Sequence, residues 1–197
     1  MTEDAAMSNF LSIFISSILV NNPLVVLFLG LCSFIGVTKK ISEAWSMSVA
    51  VVIVTLISQQ ITFALNYALV YFDVEYLRLL IFIAVIASAV QVIDIVMKKF
   101  MPAMHRSFGV YLALITTNCL VLYVALVQIA KGYSYLDCTA FSLGTGFGYL
   151  LMMVIMAGIR ERLETSNLPE VVKGTAMVVL IASFLSLMMQ GFSGIGG

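Results

Sequence analysis

The chain has 197 residues, of which 62% are hydrophobic and 10% charged, with a mean hydropathy of +1.11, a composition that excludes a soluble domain with a polar skin and identifies a polytopic membrane protein. Ten basic residues balance ten acidic ones, so nothing points to a nucleic-acid partner or a polybasic membrane anchor. Three cysteines, Cys32, Cys119 and Cys138, form neither a disulfide framework nor a zinc pattern.

In chain order, the first residues, Met1 to Asp4, lack a positive segment, and the uncharged run after them is too long for a signal peptide, so the first span is read as mature structure. Six uncharged or nearly uncharged runs then follow, at 10–38, 44–72, 79–93, 107–130, 138–159 and 174–197. They predict an all-α fold of six transmembrane helices in a single membrane domain. The first run is predicted to break near Asn21 and restart after Pro23, because Asn22 can cap a helix and proline is tolerated at its first position. Cys32 follows in the same run. Trp45 begins the second span, while Tyr67, Tyr71, Phe72 and Tyr76 surround one connection and Tyr133 and Tyr135 another, as interfacial aromatic belts require. Asp94 stands four before Lys98, a pairing that suits the end of the third helix. Cys119 comes directly after Thr116, Thr117 and Asn118, residues that prefer caps and turns to helix interiors.

Cys32 and Cys119 are 87 residues apart, room for three spans. This spacing predicts two three-helix repeats, 10–97 and 107–197, each with a broken first helix; an odd number of helices inverts the second against the first. Each thiol then lies at membrane depth. One such cysteine alone is most simply a small apolar filler. A pair at matched positions suggests iron-sulfur ligation, since metal neutralises thiolates that lipid otherwise disfavours. A four-thiolate cluster needs two more cysteines from a second chain, because Cys138 falls at the other end of a span.

Elsewhere packing is the simpler reading. Gly144, Gly146 and Gly148 form a small-residue face for close helix approach, and Met152, Met153, Met156, Met188 and Met189 are adaptable packing. His105 reads as solvated, and Arg160, Glu161, Arg162 and Glu164 as a charged helix end. The alternative of a small secondary carrier needs polar groups at depth. The spans offer only Asn21, Asn22, Ser58, Gln59, Gln60, Asn66, Thr116, Thr117 and Asn118, with no acid at a midplane.

Three segments carry a resemblance: Phe-Leu-Gly-Leu-Cys-Ser-Phe-Ile-Gly-Val-Thr-Lys-Lys at 28–40, Leu-Ile-Thr-Thr-Asn-Cys at 114–119 and Ala-Gly-Ile-Arg-Glu-Arg at 157–162. Together they resemble the motifs of the RnfA/NqrE family over nearly the whole chain, the Rnf branch more closely through Ile-Thr-Thr-Asn-Cys. The resemblance implies a six-helix subunit of an ion-translocating electron-transfer complex in the cytoplasmic membrane of a bacterium or archaeon. It also implies that Cys32 and Cys119 supply half the ligands of a [2Fe-2S] cluster. A homologous subunit of opposite topology, RnfE-like or NqrD-like, would supply the other half, and further flavin- and iron-sulfur-bearing subunits would complete the electron path. The equivalent subunit of a sodium-translocating NADH:quinone oxidoreductase is the other branch. Many relatives carry proline where this chain has Ser33, and glycine where it has Tyr123; neither change removes a ligand.

Connections one, three and five carry Lys39, Lys40, Lys98, Lys99, Arg106, Arg160, Arg162 and Lys173, whereas the other side carries only Arg78 and Lys131. This asymmetry places both termini outside the cytoplasm. A membrane-impermeant thiol reagent applied to intact cells should therefore label single cysteines introduced near positions 75 and 134 and spare those near 40, 104 and 165. The reverse pattern would invert the topology.

Overall fold

The computed structural model describes residues 2–20, 22–71, 75–100, 114–115, 118–164 and 174–193. Asn21, Thr116, Thr117, His105 and the side chains of Asp94 and Lys98, all singled out above, lie outside the described set. The described elements are helical throughout: α1 (Thr2–Leu19), α2 (Pro23–Val26), α3 (Leu31–Val37), α4 (Ile41–Tyr71), a 3-10 turn (Glu75–Leu77), α5 (Arg78–Phe100), α6 (Cys119–Ala130), α7 (Tyr135–Glu164) and α8 (Thr175–Ser193). Among the described residues, three stretches are long and apolar enough to cross a membrane, Asn9–Val26, Ile41–Tyr71 and Tyr135–Leu163. Shorter apolar helices occupy Arg78–Val92, Cys119–Ala130 and Thr175–Gly191. These six segments fall on the six runs expected from the sequence.

The first run breaks twice, once more than expected. α1 ends at Leu19, and Asn22, in extended backbone (φ −71°, ψ 110°), caps α2: its Oδ1 accepts from Leu24 N at 3.1 Å, while its Nδ2 donates to Ile18 O at 3.2 Å. Pro23 has no N–H to leave unpaired at that start. After one turn the chain breaks again. Leu27 N and Leu29 N both donate to Pro23 O, at 3.1 and 3.2 Å, and Phe28 and Gly30 are left-handed, with φ 53° and 86°. For Phe28 this conformation costs about 1 to 2 kcal/mol. Gly30 adopts it freely and opens α3, the half-helix bearing Cys32.

α7 is the central helix. It packs chiefly on α4 and α1, and Tyr149, Met152, Met153 and Met156 are fully buried along it. Its glycines allow the close approach the sequence anticipated. A Cβ at Gly144 would come within 2.8 Å of Phe14 O, and one at Gly148 within 2.8 Å of Asn22 Nδ2, so both face α1; a Cβ at Gly146 would stand 3.2 Å from Val52 of α4. At the other end of the α4 contact, Tyr135 donates to Gln60 Oε1 at 2.6 Å, and its ring meets Phe63 edge-on at 5.6 Å. These contacts fix an antiparallel register between α4 and α7. Met188 departs from the packing expectation, being 68% exposed on α8. Outward-facing Ile53, Ile57, Leu180, Phe184 and Leu187 present an apolar surface suited to lipid.

Arg160 corrects the expectation of a merely charged helix end. It lies in the last turns of α7 and is 5% exposed. Its Nη1 donates to Ile35 O at 3.0 Å and to Thr38 Oγ1 at 3.1 Å, while Thr38 Oγ1 donates to Phe34 O at 2.6 Å. The arginine thus ties the carboxyl end of α3 to α7. Arg160→Ala strands a buried carbonyl and should cost about 1 to 3 kcal/mol, lowering the denaturant midpoint in detergent. The exposed Arg162→Ala should change stability by no more than about 0.5 kcal/mol. Equal midpoints for Arg160→Ala and wild type would remove this anchoring role.

Candidate functional site

The two cysteines expected at depth both begin half-helices. Cys32 is the second residue of α3, after the left-handed Gly30, and Cys119 is the first of α6, after Asn118. Asn118 repeats the geometry of Asn22, with φ −69°, ψ 115° and its Oδ1 accepting from Leu120 N at 3.0 Å. The helix starts at Pro23 and Cys119 are thus both capped by an asparagine, the second with a thiol in its first turn, whereas the start before Cys32 is made by Gly30 without a side-chain cap.

The two half-helix starts meet. An ideal Cβ on Gly30 would lie 3.6 Å from Asn118 Oδ1 and 3.5 Å from Tyr149 Cε2. Tyr149, fully buried on α7, donates to Ser33 Oγ at 2.8 Å, and Ser33 Oγ donates to Gly30 O at 2.8 Å. Tyr149 and Asn118 thus bracket the turn that carries Cys32. Ser33 gains a function that its position after a cysteine did not reveal, and Tyr149 was missed because nothing in its local sequence separates it from a packing aromatic.

Both thiols are exposed on the surface of the chain. The sequence expected them at depth but did not say which side of the helices they would occupy. Beside Cys119, a groove of about 310 Å³ runs between α5 and α6, lined by Ile83, Ile86, Ala87, Gln91 and Leu122, with Asn118 at its head. Tyr123, where many relatives carry glycine, leans on Phe141 of α7 with ring centroids 6.4 Å apart.

Cys138 is kept apart. It is fully buried in the first turn of α7, where its thiol donates to Tyr133 O at 3.6 Å. That turn follows the end of α6 opposite Cys119, about 17 Å along the helix.

Among the described residues, no three histidine, cysteine or carboxylate side chains converge as a metal site. Two exposed soft thiolate donors at helix starts fit half of an iron-sulfur ligand set; they do not complete one.

Residues 10–197 match the family described as Rnf-Nqr subunit, membrane protein. The chain is 39% identical over 190 residues to the A-type subunit of the ion-translocating oxidoreductase complex of Syntrophotalea carbinolica, covering 96% of this chain and 98% of that one. Identity to the like-named protein of Shewanella oneidensis is 40% over 190 residues, covering 96% and 99%. Against the A-type subunit of the Na(+)-translocating ferredoxin:NAD(+) oxidoreductase complex of Acetobacterium woodii it is 41% over 183 residues, covering 92% and 95%. A match of this extent, over residues 10–197, establishes that the chain belongs to the Rnf-Nqr family of membrane subunits.

Proposed function

We propose that the chain works as the A-type subunit of an ion-translocating ferredoxin:NAD oxidoreductase complex and passes single electrons through the membrane interior. The near full-length likeness to A-type subunits supports the placement in the complex. The observation that carries the finer reading is the pair of exposed thiols on two adjoining half-helix starts. Cys32 and Cys119 would hold two of four positions of a [2Fe-2S] cluster, and a homologous six-helix subunit of opposite topology would fill the other two. The cluster would supply one-electron chemistry between a cytoplasmic donor and a flavin on the outer side.

The chain's own residues perform the positioning. Asn118 caps the helix that starts at Cys119, Gly30 supplies the left-handed turn before Cys32, and the Tyr149 to Ser33 to Gly30 hydrogen-bond chain holds that turn in place. The apolar groove beside Cys119 gives the partner a surface to cover, so that the thiols, open on one chain, are closed from lipid in the pair. A thiol in the first turn of a half-helix, found at both Cys32 and Cys119, supports two inverted halves, 10–97 and 107–197. The basic asymmetry supports both termini lying outside the cytoplasm.

Cys32→Ser and Cys119→Ser separate ligand from filler. As filler on an exposed face, either replacement should change stability by no more than about 0.5 kcal/mol and leave electron transfer nearly intact. As ligands, each should leave an assembled complex that loses the cluster's iron, its reduced-state paramagnetic signal and ferredoxin-dependent NAD reduction. Cys138→Ser, buried at the far end of α6, should retain all three. Wild-type spectra from the first two variants would end the electron-relay reading.

A further inference from the structure

Six polar side chains where α4, α6 and α7 meet, Ser58, Gln59, Thr62, Gln128, Ser142 and Thr145, are each at most 2% exposed. Helical serines and threonines in an apolar setting ordinarily satisfy their hydroxyls on the carbonyl one turn earlier. Ser48, Thr55 and Thr62 do so, at 2.6, 2.6 and 2.7 Å. Ser58, Ser142 and Thr145 have the same option and do not take it; their hydroxyls have no hydrogen-bond partner among the described residues. Among the same residues neither amide atom of Gln59 has a partner, and Gln128 uses its Nε2 on Thr62 Oγ1 at 3.0 Å while its Oε1 has none.

These atoms form one seam. Gln128 bonds Thr62, one turn along α4 from Ser58 and Gln59. With Gly146 beside Val52 and Tyr135 beside Gln60 and Phe63, the antiparallel register sets Ser142 level with the turn of α4 from Thr55 to Gln59. Thr145 lies one turn further along α7, and the next turn brings Tyr149, which stands at Ser33 and Asn118 beside the two cysteines. At the other end Asn66 Oδ1, one turn past Thr62, has no hydrogen-bond partner among the described residues. The row from Asn118 to Gln128 covers about 15 Å of helix, half of a hydrocarbon core of about 30 Å.

Leaving so many buried polar atoms unpaired is costly in a protein and more so in a bilayer. Amide and hydroxyl oxygens without carboxylates are the donor type that replaces the hydration shell of an alkali cation while holding it weakly enough to let it leave. We propose that this seam is a half-membrane conduit for a monovalent cation, running from the cysteine-bearing helix starts to the turn between α6 and α7, with the side-chain oxygens of Gln59, Gln128, Ser58 and Ser142 as its principal ligands. The conduit rests on the electron-relay reading for its coupling but on separate residues for its existence.

The test uses the whole complex in proteoliposomes, with sodium uptake and internal pH read together against electrons passed from ferredoxin to NAD. Gln59→Leu and Gln128→Leu should each lower cations moved per electron about tenfold, with cluster iron unchanged and electron transfer retained when an ionophore collapses the gradient. Gln59→Glu, which keeps an oxygen donor, should recover transport relative to Gln59→Leu. Ser88→Ala, an exposed hydroxyl on α5, should match wild type. If either leucine variant fails to assemble, the milder Ser58→Ala and Ser142→Ala decide the matter by the same ratio. A wild-type ratio in the seam variants overturns the conduit and leaves the cluster untouched. Absence of cluster iron from wild type counts against the relay alone, because the ratio of cations to electrons does not depend on which group carries the electron.

Discussion

The interaction on which the site depends is the pairing of backbone groups released where the first membrane run is cut. A continuous helix satisfies its own amides and carbonyls, and lipid offers nothing to those a break sets free. Here four carbonyls are answered by neighbouring side chains. Ile18 O receives Asn22 Nδ2, Val25 O receives Ser186 Oγ of α8 at 2.9 Å, Gly30 O receives Ser33, and Ile35 O receives Arg160. The donors come from α3, α7, α8 and the break itself, so the half-helix is held from several sides. Cys32 is consequently presented on a short rigid turn.

The same requirement explains why α7 is more enclosed than α1 or α4. It must approach α1 closely enough for Asn22 to sit against Gly148, and α4 closely enough for Gly146 to meet Val52, which only residues without a Cβ permit. Between these contacts Tyr149 crosses to Ser33 and Arg160 to Thr38. One helix therefore sets both the position of the broken segment and the register of α4, and in a bilayer this close packing supplies the association that hydrophobic burial supplies in water.

Much of this was legible in the residue order. Asn22 and Pro23 announce a helix start by chemistry that does not depend on tertiary context, and the spacing of Gly144 and Gly148 announces a close helix contact. The second break was not legible, because Gly30 in an apolar run reads equally as a packing glycine, and Phe28 is a residue that avoids the left-handed region. Arg160 was misread for a related reason. Its neighbours Glu161 and Arg162 are exposed, and only the fold shows that the one arginine turns inward to a carbonyl 125 residues earlier. Gln59 and Ser58 were visible as sparse polar residues in a span, but whether such a group is satisfied is a property of three helices together. The exposure of the cysteines likewise depends on which face of a half-helix the rest of the chain leaves open.

Two kinds of incompleteness separate the two ends of this polar row. The thiols are open at the surface, where another chain can reach them, and the apolar groove beside Cys119 is what such a chain would cover. The unpaired oxygens of the seam are enclosed by α4, α6 and α7 and out of any partner's reach. A protein ligand can complete the first, whereas only something as small as a cation or water can complete the second. Tyr149 and Asn118 stand between them, touching the turn of Cys32 on one side and the end of the seam on the other. A change of charge at the thiols would be felt at the seam across two or three side chains in a low-dielectric setting, where an added negative charge attracts a cation far more strongly than it would in water. The shared wall of side chains is therefore a physical basis on which electron occupancy at one end could set cation occupancy at the other, without any movement of the helices.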